Sequence, residues 1–131
     1  MDTPKPKKAT KRTLPPEIKA AVKAAQDKKA EDILVLDLRE AFAFTDFFLV
    51  MHGLSARQNG AVAGAIEHEL KKTGLRPLGV EGEAHGEWIL IDYGFFVVHV
   101  FSRPARAYYA WQPTGQTTFH VPEAFGTLRL R

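Results

Sequence analysis

Three aspartates are the residues of this chain that could hold a catalytic metal ion. Asp37 lies in a predicted strand over 33–38, Asp46 precedes a second strand over 47–51, and Asp92 lies at a predicted hairpin turn. Carboxylate oxygens are ligands that Mg²⁺ prefers, so this set would suit a metal-dependent nucleotidyltransferase. The phosphate-binding motifs GxxxxGK and GxGxxG are absent from the sequence. The absence of these motifs argues against an enzyme, but the three aspartates keep it as an alternative interpretation.

The five histidines have no metal-ligand spacing such as HxH or HExxH. His99 alternates with Val97 and Phe101 in a predicted strand, where a lone histidine is more often a hydrogen-bonded core residue than a ligand. The chain has no cysteine, which excludes a disulfide framework and a thiolate metal site. We predict no metal and no cofactor.

An apolar hairpin is predicted over 88–101, because Trp88 to Ile91 and Phe95 to Phe101 are rich in β-branched and aromatic residues. Gly94 can adopt the positive φ that the tight reversal between them needs. Both strands are apolar on both faces, so we expect helices to cover at least part of them. Tyr93 is expected at the exposed tip of the turn.

Acidic and aromatic residues around this hairpin form a candidate contact patch for a protein partner. Glu81, Trp88, Asp92 and Tyr93 would combine apolar anchors with carboxylates that attract a basic protein. The alternatives are that Trp88 fills the core and that Glu81, Gly82 and Gly86 belong to a solvated loop.

Charge is divided unevenly along the chain, although the formal net charge is only +3. Residues 1–12 carry five bases and one acid in a Pro- and Lys-rich stretch, which predicts a disordered basic tail. From Glu31 to Phe101 there are five bases and eleven acids, a net charge of −6. An acidic folded region is a poor match for nucleic acid and a good match for a basic protein.

The remaining pattern predicts a single α/β domain. A first helix is expected after a Thr13 cap with Lys28 and Lys29 in its last turn, and a second between a Ser55–Gln58 capping box and Gly74. The small residues of the second helix, Gly60, Ala61, Gly64 and Ala65, are expected to let it approach the sheet closely. A third helix is predicted over 104–111.

The order helix, strand, strand, helix, strand, strand, strand, helix gives a layered domain with a mixed sheet over 13–111, followed by an extension over 112–131. No apolar run approaches the ~20 residues that a membrane span requires, and the N-terminus lacks a secretory signal. A cytoplasmic protein is expected.

Several motifs, in their order and spacing, resemble the ribosome silencing factor, or Iojap-like, family over roughly 16–109. They are Asp32-Ile33, Leu36-Asp37, Phe44-Thr45-Asp46-Phe47-Phe48, Gly53, Ser55, Arg57-Gln58, Pro77, Glu81-Gly82, Gly86, Trp88, Asp92-Tyr93-Gly94 and His99-Val100-Phe101. The resemblance implies a sheet of about five strands related to the nucleotidyltransferase fold, without transferring that activity.

The resemblance also implies a function and partners. Members of this family are non-enzymatic translation repressors that bind the fourteenth protein of the large ribosomal subunit and prevent the small subunit from joining. The chain departs from the family after Tyr109, where Trp111-Gln112-Pro113 replaces a helical ending, and this puts a family homodimer contact in doubt. The basic tail is expected to contact ribosomal RNA peripherally, and an RNA-binding accessory factor that uses this tail is a further alternative.

Overall fold

The computed structural model describes residues 7–8, 14–39, 45–102, 118–120 and 127–129. Two helices and eight strands lie in this part of the chain. In order they are β1 (Lys7–Lys8), α1 (Pro16–Asp27), β2 (Glu31–Asp37), β3 (Phe47–Gly53), α2 (Ala56–Lys72), β4 (Gly79–Glu81), β5 (Trp88–Asp92), β6 (Phe96–Ser102), β7 (Thr118–His120) and β8 (Thr127–Arg129). No helix among these residues is long and apolar enough to cross a membrane.

The main sheet has the strand order β1-β2-β3-β6-β5-β4. Its central pair, β3 and β6, is parallel with Phe47 opposite Phe96, and the other pairs are antiparallel. The five strands β2 to β6 confirm the predicted mixed sheet. β7 and β8 form a separate antiparallel pair within the predicted extension.

One feature of the N-terminal tail differs from the prediction of disorder. Lys7 and Lys8 pair with Asp37 and Leu36 at the edge of the sheet. Backbone hydrogen bonding to an open strand edge does not require apolar side chains, so composition alone did not reveal it. The rest of residues 1–12 lies outside the described ranges.

Both helices cover one face of the sheet. The core between the layers takes Ile18 and Ala21 from α1, Val62, Ile66 and Leu70 from α2, and alternate strand residues such as Leu49, Ile89 and Val98. The helical cover expected over the hairpin is therefore confirmed on this face. The intervening strand residues on the opposite face, including Phe48, Leu90, Val97 and His99, are buried as well.

Helix α1 begins and ends differently from the prediction. Its N-cap is Pro15 and not Thr13, and it has no side-chain cap. Because Pro16 at the first helical position has no N–H, one of the groups that a cap would satisfy is missing. Lys28 is the C-cap and Lys29 has a φ of 65°, so both lysines follow the last helical turn.

Helix α2 confirms both of its predicted ends. Gln58 N donates to Ser55 Oγ at 3.1 Å, and Gly74 has a φ of 87° just after the helix. The reciprocal bond of the capping box is displaced by one residue, since Gln58 Oε1 accepts from Leu54 N at 2.7 Å. The Gln58 amide nitrogen also donates to the carbonyls of Lys28 and Lys29, which places the end of α1 beside the start of α2.

Three of the four small residues of α2 point away from the sheet, so the prediction is wrong for them, whereas Ala65 is partly buried against the core. Gly60, Ala61 and Gly64 are exposed, and a Cβ built at either glycine would meet nothing within 4 Å. Successive helical residues turn by 100°, which puts Val62 and Ile66 on the opposite side. These larger apolar side chains occupy the sheet face, so close approach does not depend on the small residues. The predicted helix over 104–111 lies outside the described residues.

Candidate protein-binding surface

Tyr93 is buried and not exposed at the turn tip, so this expectation is wrong. Its side chain is only 4% exposed, and its ring stacks on Phe96 with 4.9 Å between the ring centroids. The chain reverses over Tyr93-Gly94-Phe95, and this turn directs the aromatic ring back under the helices, where burying it is favourable. The Tyr93 hydroxyl has no hydrogen-bond partner among the described residues. Burial, with a further contribution from the charge of Glu67, raises the pKa of Tyr93 to about 12.

Trp88 is also largely buried, at 8% exposure, on the sheet face opposite the helices. Its indole Nε1–H donates to Nδ1 of His99 at 3.1 Å. An indole can only donate, so His99 Nδ1 accepts and the imidazole proton lies on Nε2, which has no described partner. Burial lowers the pKa of His99 to about 3 and keeps the ring neutral. His99 is the hydrogen-bonded core residue that its strand position indicates.

Asp92 organises the hairpin turn. Its Oδ1 accepts a hydrogen bond from Gly94 N at 2.8 Å, and Gly94 has a φ of 87°, as predicted. The Asp92 side chain is partly accessible, whereas Glu81 on β4 is exposed. The structure therefore leaves Glu81 and Asp92 available to a partner and places most of Trp88 and Tyr93 inside.

Leu78 supplies the exposed apolar side chain that the sequence had suggested for Tyr93. It is 77% exposed, and its backbone N–H donates to Asp92 O at 2.7 Å. A Cβ built on Gly94 would lie 3.4 Å from Leu78 Cδ1, so Leu78 lies beside the hairpin turn. Neither composition nor periodicity distinguishes this leucine from a core residue. Only its place before the edge strand β4 exposes it.

Leu78, Glu81, Glu83, Glu87 and Asp92 together form a surface that we name the acidic edge. It runs along the outer strand β4, the β4–β5 loop and the hairpin turn. Residues 77–102 contain four acids and neither lysine nor arginine. Burial, with a smaller contribution from the charge of Glu83, raises the pKa of the Glu67 carboxyl group on α2. The negative charge of the acidic edge attracts a basic protein surface.

The β4–β5 loop is held in place by backbone contacts. A Cβ on Gly82, whose φ is 84°, would lie 1.9 Å from the Trp88 carbonyl oxygen, and one on Gly86 would lie 2.8 Å from Ala56 Cβ. Asn59, fully buried in α2, donates to Gly86 O at 2.7 Å. The two glycines are thus required by close approach, and Glu83 is carried on a fixed loop. The role of Asn59 in holding this loop is not predicted from the sequence, although its position as an amide in the apolar stripe of α2 was a signal for it.

The candidate metal-binding aspartates do not converge. Asp37 on β2 and Asp92 on β5 are separated by β3 and β6, which puts their strands about 14 Å apart. Asp37 is also held by Arg39, whose Nη2 lies 2.6 Å from Asp37 Oδ2. Across the described part of the chain, no group of three or more histidine, aspartate and glutamate side chains could hold a metal ion.

The sequence permits an ion pair of Arg57 with Asp46 or Glu67, a structural role that would rank Arg57 below the hairpin residues as a partner contact. The structure shows neither pair within the described ranges, and Arg57 is exposed at the start of α2. The expectation was wrong because Asp46 and Glu67 lie elsewhere. Asp46 is beside the hairpin turn, where its N–H donates to Phe95 O, and Glu67 is almost three helical turns further along α2.

Comparison with known proteins finds one family. Residues 11–112 match the family described as "Ribosomal silencing factor during starvation". The ribosomal silencing factor RsfS of Bacillus subtilis is 40% identical over 92 residues, which cover 70% of this chain and 78% of the relative. A crystal structure of a Chromobacterium violaceum protein superposes with a TM-score of 0.70 at 37% identity, covering 72% of this chain and 78% of the other.

A more distant relative is the mouse protein named "Mitochondrial assembly of ribosomal large subunit protein 1". It is 25% identical over 96 residues, which cover 71% of this chain but only 42% of the mouse protein.

Proposed function

Because the chain belongs to the ribosomal silencing factor family, we propose that it represses translation by binding the large ribosomal subunit and blocking the small subunit from joining. The partner on the large subunit is its basic fourteenth protein, and the contact surface is the acidic edge. Such a protein acts in the cytoplasm, where the subunits join. It works by occupying space and needs no catalytic step.

The observation that carries this proposal is the composition of the acidic edge. The exposed Leu78 lies beside the hairpin turn with Asp92, Glu81 follows it on the edge strand, and the β4–β5 loop adds Glu83 and Glu87, with no lysine or arginine in residues 77–102. An apolar anchor with a charged rim is the usual arrangement of a protein interface, and the charges raise the association rate with a partner of opposite sign. The large subunit as the target is supported by the name of the mouse relative.

The first experiment is sedimentation of the purified protein with separated ribosomal subunits. We expect co-sedimentation with large subunits and not with small ones, and fewer joined ribosomes when both subunits are mixed in its presence. The affinity should fall as salt rises, because the Debye length shrinks from about 10 Å at 0.1 M to about 3 Å at 1 M. Equal binding to both subunits would contradict the proposal.

A pair of leucine variants tests where the contact lies. Leu78 and Leu54 are both largely exposed, at 77% and 69%, but they lie at opposite ends of the strands β3 and β6. Leu78→Ala should weaken binding to the isolated fourteenth protein by about 1 to 2 kcal/mol without lowering the melting temperature. Leu54→Ala is the matched control and should bind normally. If both variants bind like the unmodified protein, the acidic edge is not the contact surface.

The enzyme alternative has a separate test. Trp88 and Trp111 provide fluorescence, so nucleotide and Mg²⁺ can be titrated directly against the protein. We expect no saturable change in fluorescence, because Asp37 and Asp92 lie too far apart to share one ion. Saturable binding at micromolar concentration would revive the enzyme. The homodimer stays a prediction of the resemblance, and the peripheral contact of the basic tail with ribosomal RNA stays a prediction from the charge of residues 1–12.

A further inference from the structure

The two layers of the fold carry opposite charge. The helix layer, residues 16–29 and 56–76, contains eight bases and four acids, a net charge of +4. The strands and their loops, residues 30–39, 45–55 and 77–102, contain one base and eight acids, a net charge of −7. The helix layer is thus the cationic counterpart of the acidic edge.

The three bases of helix α2 lie on its exposed face. Its exposed residues recur at helical spacing and lie within about 60° of a common direction at 100° per residue. They are Arg57, Gly60, Ala61, Gly64, His68, Lys71 and Lys72. We name these residues the α2 face. No acid lies among them, and two acids border the face: Glu67 on one side, and on the other Glu69, which is paired with Lys72 at 3.0 Å. Arg57 and Lys71 have no ion-pair partner within the described part of the chain.

The middle of the α2 face is flat. Gly60 and Gly64 have open space where a Cβ would lie, so packing inside the protein does not explain either glycine. Glycine is also an unfavourable residue for a helix interior. The flat centre allows another molecule to approach the helix backbone between the cations at the two ends, Arg57 and Lys71. These two residues are about 21 Å apart along the helix axis.

We propose that the α2 face binds the phosphate backbone of RNA, an inference that rests on the proposed action at the ribosome. Charge complementarity favours a polyanion, and 21 Å along the helix spans several phosphates of one strand. A protein or membrane partner would normally meet an apolar anchor. The large exposed hydrophobic residues in the described ranges are Leu54 and Leu78, and neither is on α2. The protein would then contact ribosomal protein with its acidic edge and ribosomal RNA with its helix layer.

The test measures binding of the full-length protein to a short RNA duplex by fluorescence anisotropy at about 0.1 M salt. Lys71→Glu and Arg57→Glu should each weaken binding by about tenfold and reduce the slope of log affinity against log salt by about one. Lys19→Glu, which makes the same charge change on an exposed position of α1, is the matched control. It should have a clearly smaller effect.

A second pair of variants changes bulk and leaves charge unaltered. Gly64→Leu should weaken RNA binding several-fold, because the side chain holds the phosphates away from the helix. Gly79→Leu is its control, since a Cβ at this exposed glycine also meets nothing within 4 Å and lies in the sheet layer. It should bind RNA normally. Circular dichroism would confirm that both variants keep their secondary structure.

The outcomes separate this inference from the proposed function. Lys71→Glu should still bind the isolated fourteenth protein normally while binding large subunits more weakly. If Lys71→Glu and Lys19→Glu lost RNA affinity equally and Gly64→Leu had no effect, net charge alone would attract RNA. This result would overturn the proposal that the α2 face is the RNA-binding surface. Unchanged RNA affinity with lost affinity for an acidic protein or an anionic vesicle would replace RNA with that partner. If the wild-type protein failed to bind large subunits, the proposed function would be wrong. The RNA affinities of the variants would still show whether the α2 face binds RNA.

Discussion

The β5–β6 hairpin and helix α2 differ in which of their residues reach the surface. The hairpin carries the large aromatic side chains that suggest a contact patch, and it buries Trp88 and Tyr93. Helix α2 carries small residues that suggest close packing, and it exposes Gly60 and Gly64. The difference shows that residue type is a weak guide to function in this fold. The position of a residue relative to the two layers decides what it can contact.

Tyr93→Ala gives the largest expected effect on the hairpin side of this comparison. Loss of the stacked ring should lower the free energy of unfolding by about 3 to 5 kcal/mol, the range for truncating a large core aromatic residue. Denaturant unfolding measures it. Tyr93→Phe is the matched variant, because it keeps the ring and removes a buried hydroxyl that has no described partner. It should be at least as stable as the unmodified protein. If Tyr93→Ala left the free energy of unfolding almost unchanged, Tyr93 would be exposed, as the sequence suggested.

His99 should make stability depend on pH. Its pKa is about 3 in the folded protein and 6.5 when exposed, so between these values the unfolded state binds more protons. The free energy of unfolding should therefore fall as pH drops below about 6.5, by up to about 1.4 kcal/mol for each pH unit. Above that range His99 should contribute no pH dependence.

Two variants isolate this effect in denaturant unfolding curves measured between pH 7 and pH 4. His99→Gln should lose the part of the slope that His99 contributes. His68→Gln, a substitution on the exposed face of α2, should keep the slope. An unaltered slope in His99→Gln would show that the imidazole is not desolvated.

Gly60→Ala and Gly64→Ala give the smallest expected effects and have the opposite sign. Each should raise the free energy of unfolding by up to about 1 kcal/mol, because alanine is the better helix former and the added methyl group meets nothing. Thermal unfolding measures the gain. Gly82→Ala is the contrasting variant and should destabilise the protein, since its Cβ would overlap the Trp88 carbonyl. A loss of stability in Gly60→Ala would mean that this side of α2 is packed and not free.

Much of the fold was predictable because it follows from local patterns. The strands β3, β5 and β6 are continuous apolar runs, and the ends of α2 are fixed by Ser55, Gln58 and Gly74. The candidate site was harder to predict, because exposure depends on which elements become neighbours. Leu78 is exposed only since β4 is the last strand of the sheet. Tyr93 is buried because its turn directs the ring beneath the helices. The spacing of residues in the sequence does not predict this direction.

The parallel pairing of β3 with β6 has a consequence for synthesis of the chain. β6 is a central strand of the sheet, yet it is the last of its six strands to be made, and its first residue pairs with Phe47 across almost fifty positions. During translation, the edge of the apolar strand β3 that pairs with β6 stays unpaired until Ser102 has left the ribosome. Contacts between distant residues slow folding and leave such edges open to aggregation. A nascent chain that stalls before Phe96 would be unable to complete its sheet and would depend on chaperones.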